Sequence, residues 1–271
     1  MNKLRTVWWM AFYNLIAVPF LFVLFQLIAA LLGRTRAGAK IKLGRQGRAH
    51  LFARLAQQMA AFPAGSPRFW VHAASMGECE QAKPILHEIG TRFPGSVRVL
   101  TVFSPSAYQN LSRQNLPAEV MCYLPIDTFT NARRFLELVN PAAGLVIRHD
   151  YWPNFMWQAR RRGVFLLLAD ASVSANAATK RDWPGVRQFN REVLANFAVI
   201  AAVSATAAES LRPLLRSPER LRILGDTRYD QVLLRTQQAE LSRILPGSWQ
   251  GPPMKKCCCP PLWRRGGRCP A

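Results

Sequence analysis

The stretch FWVHAASMGECEQAKPILHEIG, residues 69–90, is typical of a strand that passes through a small-residue loop into a helix. Apolar and aromatic residues predict a strand at Phe69–Ala73, and the following pattern predicts a helix at Glu80–Arg92. The loop between them carries one carboxylate, Glu78. Strands that alternate with helices build parallel sheets, so this stretch points to an α/β fold.

Downstream, short β-branched or aromatic runs continue to alternate with helical stretches. Further strands are predicted at Val97–Phe103, Val120–Tyr123, Gly144–Ile147, Val164–Leu168, Phe197–Val203 and Leu221–Leu224. Helices are predicted between them at Pro105–Arg113, Thr128–Val139, Asn154–Arg162, Gly185–Asn196 and Ala205–Leu215. The alternation predicts a parallel sheet with helices on both faces, over residues 68–246. Such sheets bind ligands at the carboxyl ends of their strands, where Glu78 lies.

Upstream, the segment Thr6–Gly33 contains no charged residue and exceeds the roughly 20 residues that a spanning helix needs. We therefore predict a membrane anchor helix at 1–33, followed by a basic connector at 34–67. The connector's Lys and Arg residues place the bulk of the protein on the cytoplasmic side. A cleaved signal peptide fits less well, because the apolar run is too long. Asn14, Pro19 and Gln26 leave open a tilted or partly inserted helix.

The charge balance is strongly basic, with 36 Lys plus Arg against 15 Asp plus Glu and a net charge of +21. Such a balance favours polyanionic partners: nucleic acid, a phosphorylated substrate or the anionic face of a membrane. The chain has no Walker loop and no G-x-G-x-x-G motif, which argues against nucleotide-binding enzymes of those kinds. Basic residues interleaved with stacking aromatics are also not visible, so nucleic acid is not an expected partner.

The six cysteines are unevenly distributed, since only Cys79 and Cys122 precede residue 250. This is no disulfide framework and suggests a reducing compartment. The adjacent cysteines at 257–259 lack the spacing that lets two thiolates hold one zinc ion, so no metal site is predicted. The surrounding segment 247–271 has no periodicity and is rich in Pro, Gly and Arg. We expect it to be a disordered tail, and it resembles out-of-frame translation.

Glu78 itself allows two interpretations. Ser75 and Glu78 have the spacing of a capping box, in which the Glu side chain reaches back to the cap residue. A carboxylate beside Gly77 at a strand end also meets the geometric demand on a general base. The loop sequence permits both roles.

Four blocks in this order resemble the 3-deoxy-D-manno-octulosonic acid (Kdo) transferases of lipid A synthesis. They are WVHAASMGE, YLPIDTFTNARRFLELVNPAAGLVIRHDYWPN, LLLADASVS and ILGDTRYDQV, beginning at residues 70, 123, 166 and 223. The resemblance covers Met1 to about Gly251. It implies the N-terminal, Rossmann-like half of a two-domain GT-B glycosyltransferase, with the acceptor-binding domain at 68–246.

The resemblance implies an inverting, membrane-associated enzyme on the cytoplasmic side of the inner membrane. Its partners would be the lipid A precursor, CMP-Kdo as donor and membrane lipid, without a further cofactor. The family's CMP-Kdo-binding domain is expected to begin near residue 250, where this chain has its tail. On this expectation the chain is the acceptor half and shows little or no transfer alone. The alternative is a non-catalytic, membrane-anchored basic module that binds anionic lipid or nucleic acid.

The family's motifs also imply roles for individual residues. The Glu of its S-x-G-E motif is the catalytic base, here Glu78. Where the family often reads E-T-E-L-W-P-N, this chain has the basic Arg148, then Asp150, Trp152 and Asn154. Arg148 and Asp150 are candidate catalytic groups. Trp152 and Asn154 would bind substrate, or cap and pack the next helix.

Eight further positions complete the predicted site. Arg228 stands where the family usually has Lys, and is a candidate stabiliser of developing negative charge. Ser75 and Gly77 would contact substrate beside Glu78. His72 would line the acceptor cleft, or is a satisfied core histidine. Ser172, Ser174, Lys180 and Arg181 would meet lipid phosphates, or form an ordinary solvated loop.

Overall fold

A seven-stranded sheet, parallel throughout, is the frame of the protein. The computed structural model describes residues 3–172 and 184–238. The strands are β1 (Arg68–His72), β2 (Val97–Val102), β3 (Val120–Tyr123), β4 (Ala143–Ile147), β5 (Phe165–Ala171), β6 (Val199–Ala202) and β7 (Leu221–Ile223). Their spatial order is β3-β2-β1-β4-β5-β6-β7. The predicted Rossmann-like α/β class is confirmed.

Helices connect successive strands and pack on the sheet, and four others precede the first strand. In chain order they are α1 (Lys3–Phe12), α2 (Val18–Leu31), α3 (Arg36–Arg48), α4 (Leu51–Ala60), α5 (Met76–Arg92), α6 (Pro105–Leu111), α7 (Phe129–Val139), α8 (Pro153–Arg161), α9 (Pro184–Leu194), α10 (Ala205–Leu211) and α11 (Thr227–Gln238). Every strand and helix predicted at 69–224 is present, with shifted ends. Helices α3, α4 and α11 were not predicted, and the predicted tail lies outside the described residues.

The strand order reverses direction at β1, because the chain continues from β1 to its neighbour β2 and later crosses back to β4 on the other side. In open α/β sheets, such a reversal leaves a crevice at the carboxyl ends of the two strands. The loop after β1 carries Glu78 into this position. Buried aromatic side chains fill the sheet faces below it, among them Trp70, Phe135 and Phe155.

The N-terminal helix is docked on the domain by one face. Trp9, Met10 and Tyr13 are buried in the main core cluster, and the Trp9 and Phe189 ring centroids are 5.4 Å apart. A π-helical turn, Tyr13–Ala17, joins α1 to α2 without breaking the helix. By length and composition alone, the helix Leu4–Leu31 is apolar and long enough to cross a membrane. The docked face means that part of the predicted anchor, around Trp9 and Tyr13, belongs to the domain core.

Helices α2 and α3 form a hairpin, residues 18–48, whose first helix has no buried residue. The hairpin rejoins the domain at Arg48, which donates to the carbonyls of Leu124 and Phe103 at 2.9 and 3.0 Å. Its guanidinium also lies over the rings of Phe103 and Tyr123. These residues directly follow or end β2 and β3. The hairpin is therefore fastened to the edge of the sheet that carries Glu78.

Close backbone approach explains why the glycine-rich α3 is nevertheless helical. A Cβ at Gly38 would lie 2.1 Å from the Leu32 carbonyl oxygen, and one at Gly47 would lie 2.3 Å from the Tyr123 ring. Glycine lowers helix propensity by about 1 kcal/mol, which hides this helix from sequence patterns. Packing on α2 and β3 compensates for that loss.

Candidate functional site

Glu78 lies in the first turn of α5, held by the backbone in front of that helix. Its Oε2 accepts hydrogen bonds from the Ala74 and Ser75 amides at 2.8 and 3.1 Å. The Ser75 hydroxyl accepts from the Glu78 amide at 3.4 Å, so the predicted capping box is present. Among the described residues, Oε1 has no hydrogen-bond partner. One carboxylate oxygen thus fixes the side chain while the other is available, which is compatible with the predicted role as a base.

The space beside Glu78 is open. A Cβ placed on Gly77 would meet no atom within 4 Å, and both Gly77 and Ser75 are exposed. The first turn of any α-helix also presents backbone N–H groups without intrahelical partners. The loop can therefore receive a ligand group close to the Glu78 carboxylate.

His72 bridges β1, β2 and the loop after β4. Its Nδ1 lies 3.0 Å from the Thr101 hydroxyl, and its Nε2 lies 3.1 Å from Asp150 Oδ2. The Trp152 indole donates to the same Asp150 oxygen at 3.3 Å. The structure thus brings the three predicted residues His72, Asp150 and Trp152 together. His72 is buried and bonded at both nitrogens. Its contacts therefore favour a role in positioning Asp150 rather than a role in lining the acceptor cleft.

Arg148 follows β4 directly, and its backbone has a left-handed conformation with φ 66°. Asp170, near the end of the neighbouring β5, has φ 52°. Left-handed conformations cost a non-glycine residue of the order of 1 kcal/mol or more, and such strain clusters at functional sites. Arg148 Nε is buried without a hydrogen-bond partner among the described residues. The charge of Arg148 acts on the neighbouring Asp170 and favours its ionised form. The predicted catalytic role of Arg148 stays a prediction.

Asp170 ties β5 to the starts of α5 and α11. It accepts from the Gln81 amide at 2.9 Å, from the Thr227 backbone amide at 3.1 Å and from the Thr227 hydroxyl. Burial raises the pKa of Asp170 above its ordinary value. Sequence reasoning did not single out Asp170 or Gln81. For Asp170, the signal available in the sequence was a carboxylate near the end of an apolar strand, the same kind of signal that pointed to Glu78.

Arg228 forms an ion pair with Asp226, in which Nε donates to both carboxylate oxygens at 2.8 and 3.0 Å. Burial opposes ionisation of Asp226, but these bonds lower its pKa overall. The Gln81 amide also donates to Asp226 at 3.2 Å. Arg228 is therefore close to the Asp170 group, yet its charge is already balanced by Asp226. The predicted stabilising role would require Arg228 to leave this pair.

Asn154 lies apart from these groups and is completely buried. It exchanges two side-chain hydrogen bonds with Asn14, at 2.8 and 3.0 Å. Its backbone amide and that of Phe155 donate to the Asp127 carboxylate, which also accepts from the Tyr13 hydroxyl at 2.9 Å. Burial raises the pKa of Asp127 to about 7. These contacts give Asn154 a role in docking the N-terminal helix rather than in binding substrate.

The described residues contain no group of three or more His, Cys, Asp or Glu side chains that could hold a metal ion. Cys79 and Cys122 are buried free thiols, and burial raises the pKa of each to about 12. Neither is poised as a nucleophile, since the thiolate is the reactive form. Of the predicted lipid-phosphate residues, Ser174, Lys180 and Arg181 lie outside the described residues.

Comparison with known proteins gives one consistent family. Residues 48–231 match the sequence profile described as 3-Deoxy-D-manno-octulosonic-acid transferase (kdotransferase). The 3-deoxy-D-manno-octulosonic acid transferase of Haemophilus influenzae is 26% identical over 161 residues, covering 59% of this chain and 37% of that protein. The Bordetella pertussis protein of the same name is 28% identical over 184 residues, which cover 66% of this chain and 41% of the length of that protein.

The chain thus spans about two fifths of the length of these curated relatives. Among solved structures, UDP-GlcNAc 2-epimerase from Neisseria meningitidis, bound to UDP-GlcNAc, is similar with a TM-score of 0.49 and 14% identity. That similarity covers 65% of this chain and 51% of the epimerase.

Proposed function

Because the chain belongs to the family of 3-deoxy-D-manno-octulosonic acid transferases, we propose that it acts in the transfer of Kdo from CMP-Kdo to a lipid A precursor. The acceptor hydroxyl attacks the anomeric carbon of Kdo while CMP leaves from the opposite face, with inversion. The observation that carries this proposal is the placement of Glu78, whose Oε1 has no partner in the described part of the chain and lies beside the open Gly77.

Glu78 acts as the general base. Two backbone amides hold Oε2, so the orientation of the carboxylate is set before substrate binds. Oε1 takes the hydroxyl proton as the new C–O bond forms, and the bond between the anomeric carbon and the CMP phosphate oxygen breaks. A weak alkyl nucleophile benefits from such proton removal by roughly 10²- to 10⁴-fold.

Cations near the strand ends balance the negative charge of the donor. The Kdo carboxylate and the departing phosphate are anionic, and preorganised positive groups lower the barrier to such a reaction. Arg148 has an Nε without a hydrogen-bond partner among the described residues, and Arg228 becomes available when Asp226 releases it. Asp150, held by His72 and Trp152, would orient the acceptor sugar.

The α2–α3 hairpin delivers this site to the membrane that holds the acceptor. Helix α2 is apolar and has no buried residue, while α3 is rich in Lys and Arg. Basic residues next to inserted apolar ones favour the anionic cytoplasmic face of a membrane. The 14 residues of α2 extend about 21 Å, which is short of the roughly 30 Å hydrocarbon core. Partial insertion therefore fits better than a full span, since α1 is docked on the domain.

Two measurements on the detergent-solubilised chain test the proposal. The first is direct binding of a lipid A precursor, which we expect for the wild type and for Glu78→Gln. The second is transfer of labelled Kdo from CMP-Kdo in the presence of the part of the Bordetella pertussis relative that this chain does not match, because the chain alone is expected to show little or no transfer. In this supplemented assay we expect only Glu78→Gln to lose transfer. Gln preserves the capping box, because its side-chain oxygen can still accept from the Ala74 and Ser75 amides. Glu88→Gln, on the exposed side of α5, is the matched control.

The outcomes separate the two parts of the proposal. A wild-type chain that does not bind the lipid A precursor would overturn the acceptor-side function and favour the non-catalytic membrane module. Binding together with equal and measurable transfer by the wild type and Glu78→Gln would remove Glu78 as the base. Loss of transfer in Glu88→Gln as well would show that the loss reflects the helix rather than the carboxylate.

A further inference from the structure

A cavity of about 560 Å³ lies at the start of α1, and none of its lining residues belongs to the group around Glu78. It is formed where α1, α9 and the segment after α10 meet. Its lining residues are Arg5, Pro184, Arg187, Gln188, Arg191 and Arg216. We call this cavity the arginine pocket.

A buried carboxylate organises two of the arginines. The Glu192 side chain has no exposed surface, and it forms ion pairs with Arg5 at 2.6 Å and with Arg216. Its second oxygen accepts from the Thr6 hydroxyl at 3.4 Å. Glu192 thus fixes two guanidinium groups at the wall of the pocket, and balances the charge of only one of them.

The other two arginines have no carboxylate partner among the described residues. Arg191 donates from Nε and Nη2 to one neutral acceptor, the Pro213 carbonyl, at 3.1 and 2.7 Å. Arg187 makes no side-chain hydrogen bond or ion pair within the described part of the chain. The pocket therefore concentrates uncompensated positive charge. Guanidinium groups bind phosphate oxygens through two parallel hydrogen bonds, so a phosphate group matches this wall.

The neighbouring surface of α1 indicates where the phosphate comes from. Arg5 lies between the buried face of α1 and an outward face that exposes Leu4, Val7, Trp8 and Phe12. Leu4 is 81% exposed and Trp8 57%. Exposed apolar and aromatic residues beside cations are typical of helices that lie in a membrane interface. Acyl chains would contact the outward face while the headgroup phosphate reaches the pocket.

We propose that the arginine pocket binds the phosphate headgroup of an anionic membrane lipid. Occupancy holds the flank of the domain, with the outward face of α1, against the bilayer surface. This site adds a second membrane contact beyond the α2–α3 hairpin, and it works independently of Glu78.

Vesicle co-sedimentation of the full chain tests the proposal. Vesicles of phosphatidylcholine alone are compared with vesicles that also contain phosphatidylglycerol. The test variant is Arg187→Gln/Arg191→Gln, which leaves the ion pairs of Glu192 intact. The matched control is Arg133→Gln/Arg162→Gln, which removes the same charge from the exposed surface around Glu137. Circular dichroism confirms that all variants are folded.

We expect the pocket variant to bind the phosphatidylglycerol vesicles roughly ten- to thirtyfold more weakly than the wild type, and the control to remain within about twofold. Binding to phosphatidylcholine should be unchanged. Equal losses in both variants, or no loss in either, would overturn the proposal.

Calorimetry with inorganic phosphate and glycerol phosphate tests whether the pocket binds a free, soluble phosphate instead of a lipid headgroup. Pocket-dependent binding of these soluble ions, without a pocket-dependent vesicle effect, would assign the pocket to a free phosphate. Acceptor binding in detergent, measured separately, keeps this result distinct from the proposed transferase function.

Discussion

Two carboxylates, Glu78 and Asp127, each accept two backbone N–H groups at the start of a helix, yet their surroundings differ. Glu78 takes both bonds on one oxygen and leaves the other at the edge of an open loop. Asp127 uses both oxygens for the amides of Asn154 and Phe155, and the Tyr13 hydroxyl closes the remaining side. The same capping chemistry produces an available carboxylate in one place and a sealed one in the other.

The difference comes from the N-terminal helix. Tyr13 and Asn14 cover the start of α8, and this burial raises the pKa of Asp127 to about 7. No comparable element covers the start of α5 within the described residues. Glu78 and Asp127 are both largely buried, at 9% and 3% exposed. A carboxylate oxygen that has no partner among the described residues, rather than hydrogen bonding to the backbone, therefore separates the carboxylate proposed for catalysis from the one that holds the fold together. Four experiments can break or sharpen this contrast.

The largest expected effect is on catalysis. Glu78→Gln should lower the rate of Kdo transfer by at least about 100-fold, because Gln cannot take the acceptor proton. Asp127→Asn should leave the rate per folded molecule unchanged. Transfer assays with fractions of folded protein determined in parallel make this comparison. A large rate loss in Asp127→Asn alone would reverse the assignment.

The next effect is on stability. Tyr13→Phe removes one hydrogen bond from the buried Asp127, and an unsatisfied buried partner costs about 1–3 kcal/mol in the free energy of unfolding. Ser75→Ala, which removes the exposed cap of α5, should cost about 1 kcal/mol. Urea unfolding in detergent measures both. A larger loss in Ser75→Ala than in Tyr13→Phe would contradict the view that the N-terminal helix is part of the core.

The pH dependence of stability should reveal the sealed carboxylate, Asp127. A folded-state pKa of about 7, above the ordinary 3.8 of Asp127, means that the folded protein holds this proton more tightly than the unfolded chain. Its stabilisation is fully present below about pH 4 and is lost as the pH rises towards 7, by at most about 1.4 kcal/mol per pH unit. In unfolding measurements at several pH values, Asp127→Asn should lack this component. A difference between wild type and variant that does not change with pH would contradict it.

The smallest expected effect is that of Gly77→Ala on stability. The added Cβ meets no atom within 4 Å, so the variant should be as stable as the wild type or more stable by up to about 1 kcal/mol. Acceptor affinity should nevertheless fall, because the methyl group occupies space beside the Glu78 carboxylate. Thermal unfolding and acceptor titration check the two parts. Unchanged affinity would move the acceptor away from this loop.

The sequence patterns predicted the strands and helices of the sheet because their apolar residues repeat with the period of each element. The missed α3 contains three glycines. Two of them, Gly38 and Gly47, fit against Leu32 and Tyr123, contacts that local sequence patterns do not show. The same difference between local patterns and long-range contacts explains which parts of the candidate site were predicted. Glu78 and its capping box are local and were predicted. The bonds of Asp170 to Thr227 and of Asp127 to Tyr13 join distant segments, and became visible only in the fold.

The attachment of Arg48 has a consequence for how the protein selects its substrate. Arg48 fixes the end of the α2–α3 hairpin to the carbonyls that follow β2 and β3, on the same edge as Glu78. If α2 inserts as proposed, the hairpin sets the distance between the Glu78 carboxylate and the bilayer surface. The enzyme would then select a lipid hydroxyl by its distance from the bilayer surface as well as by the chemical groups around that hydroxyl.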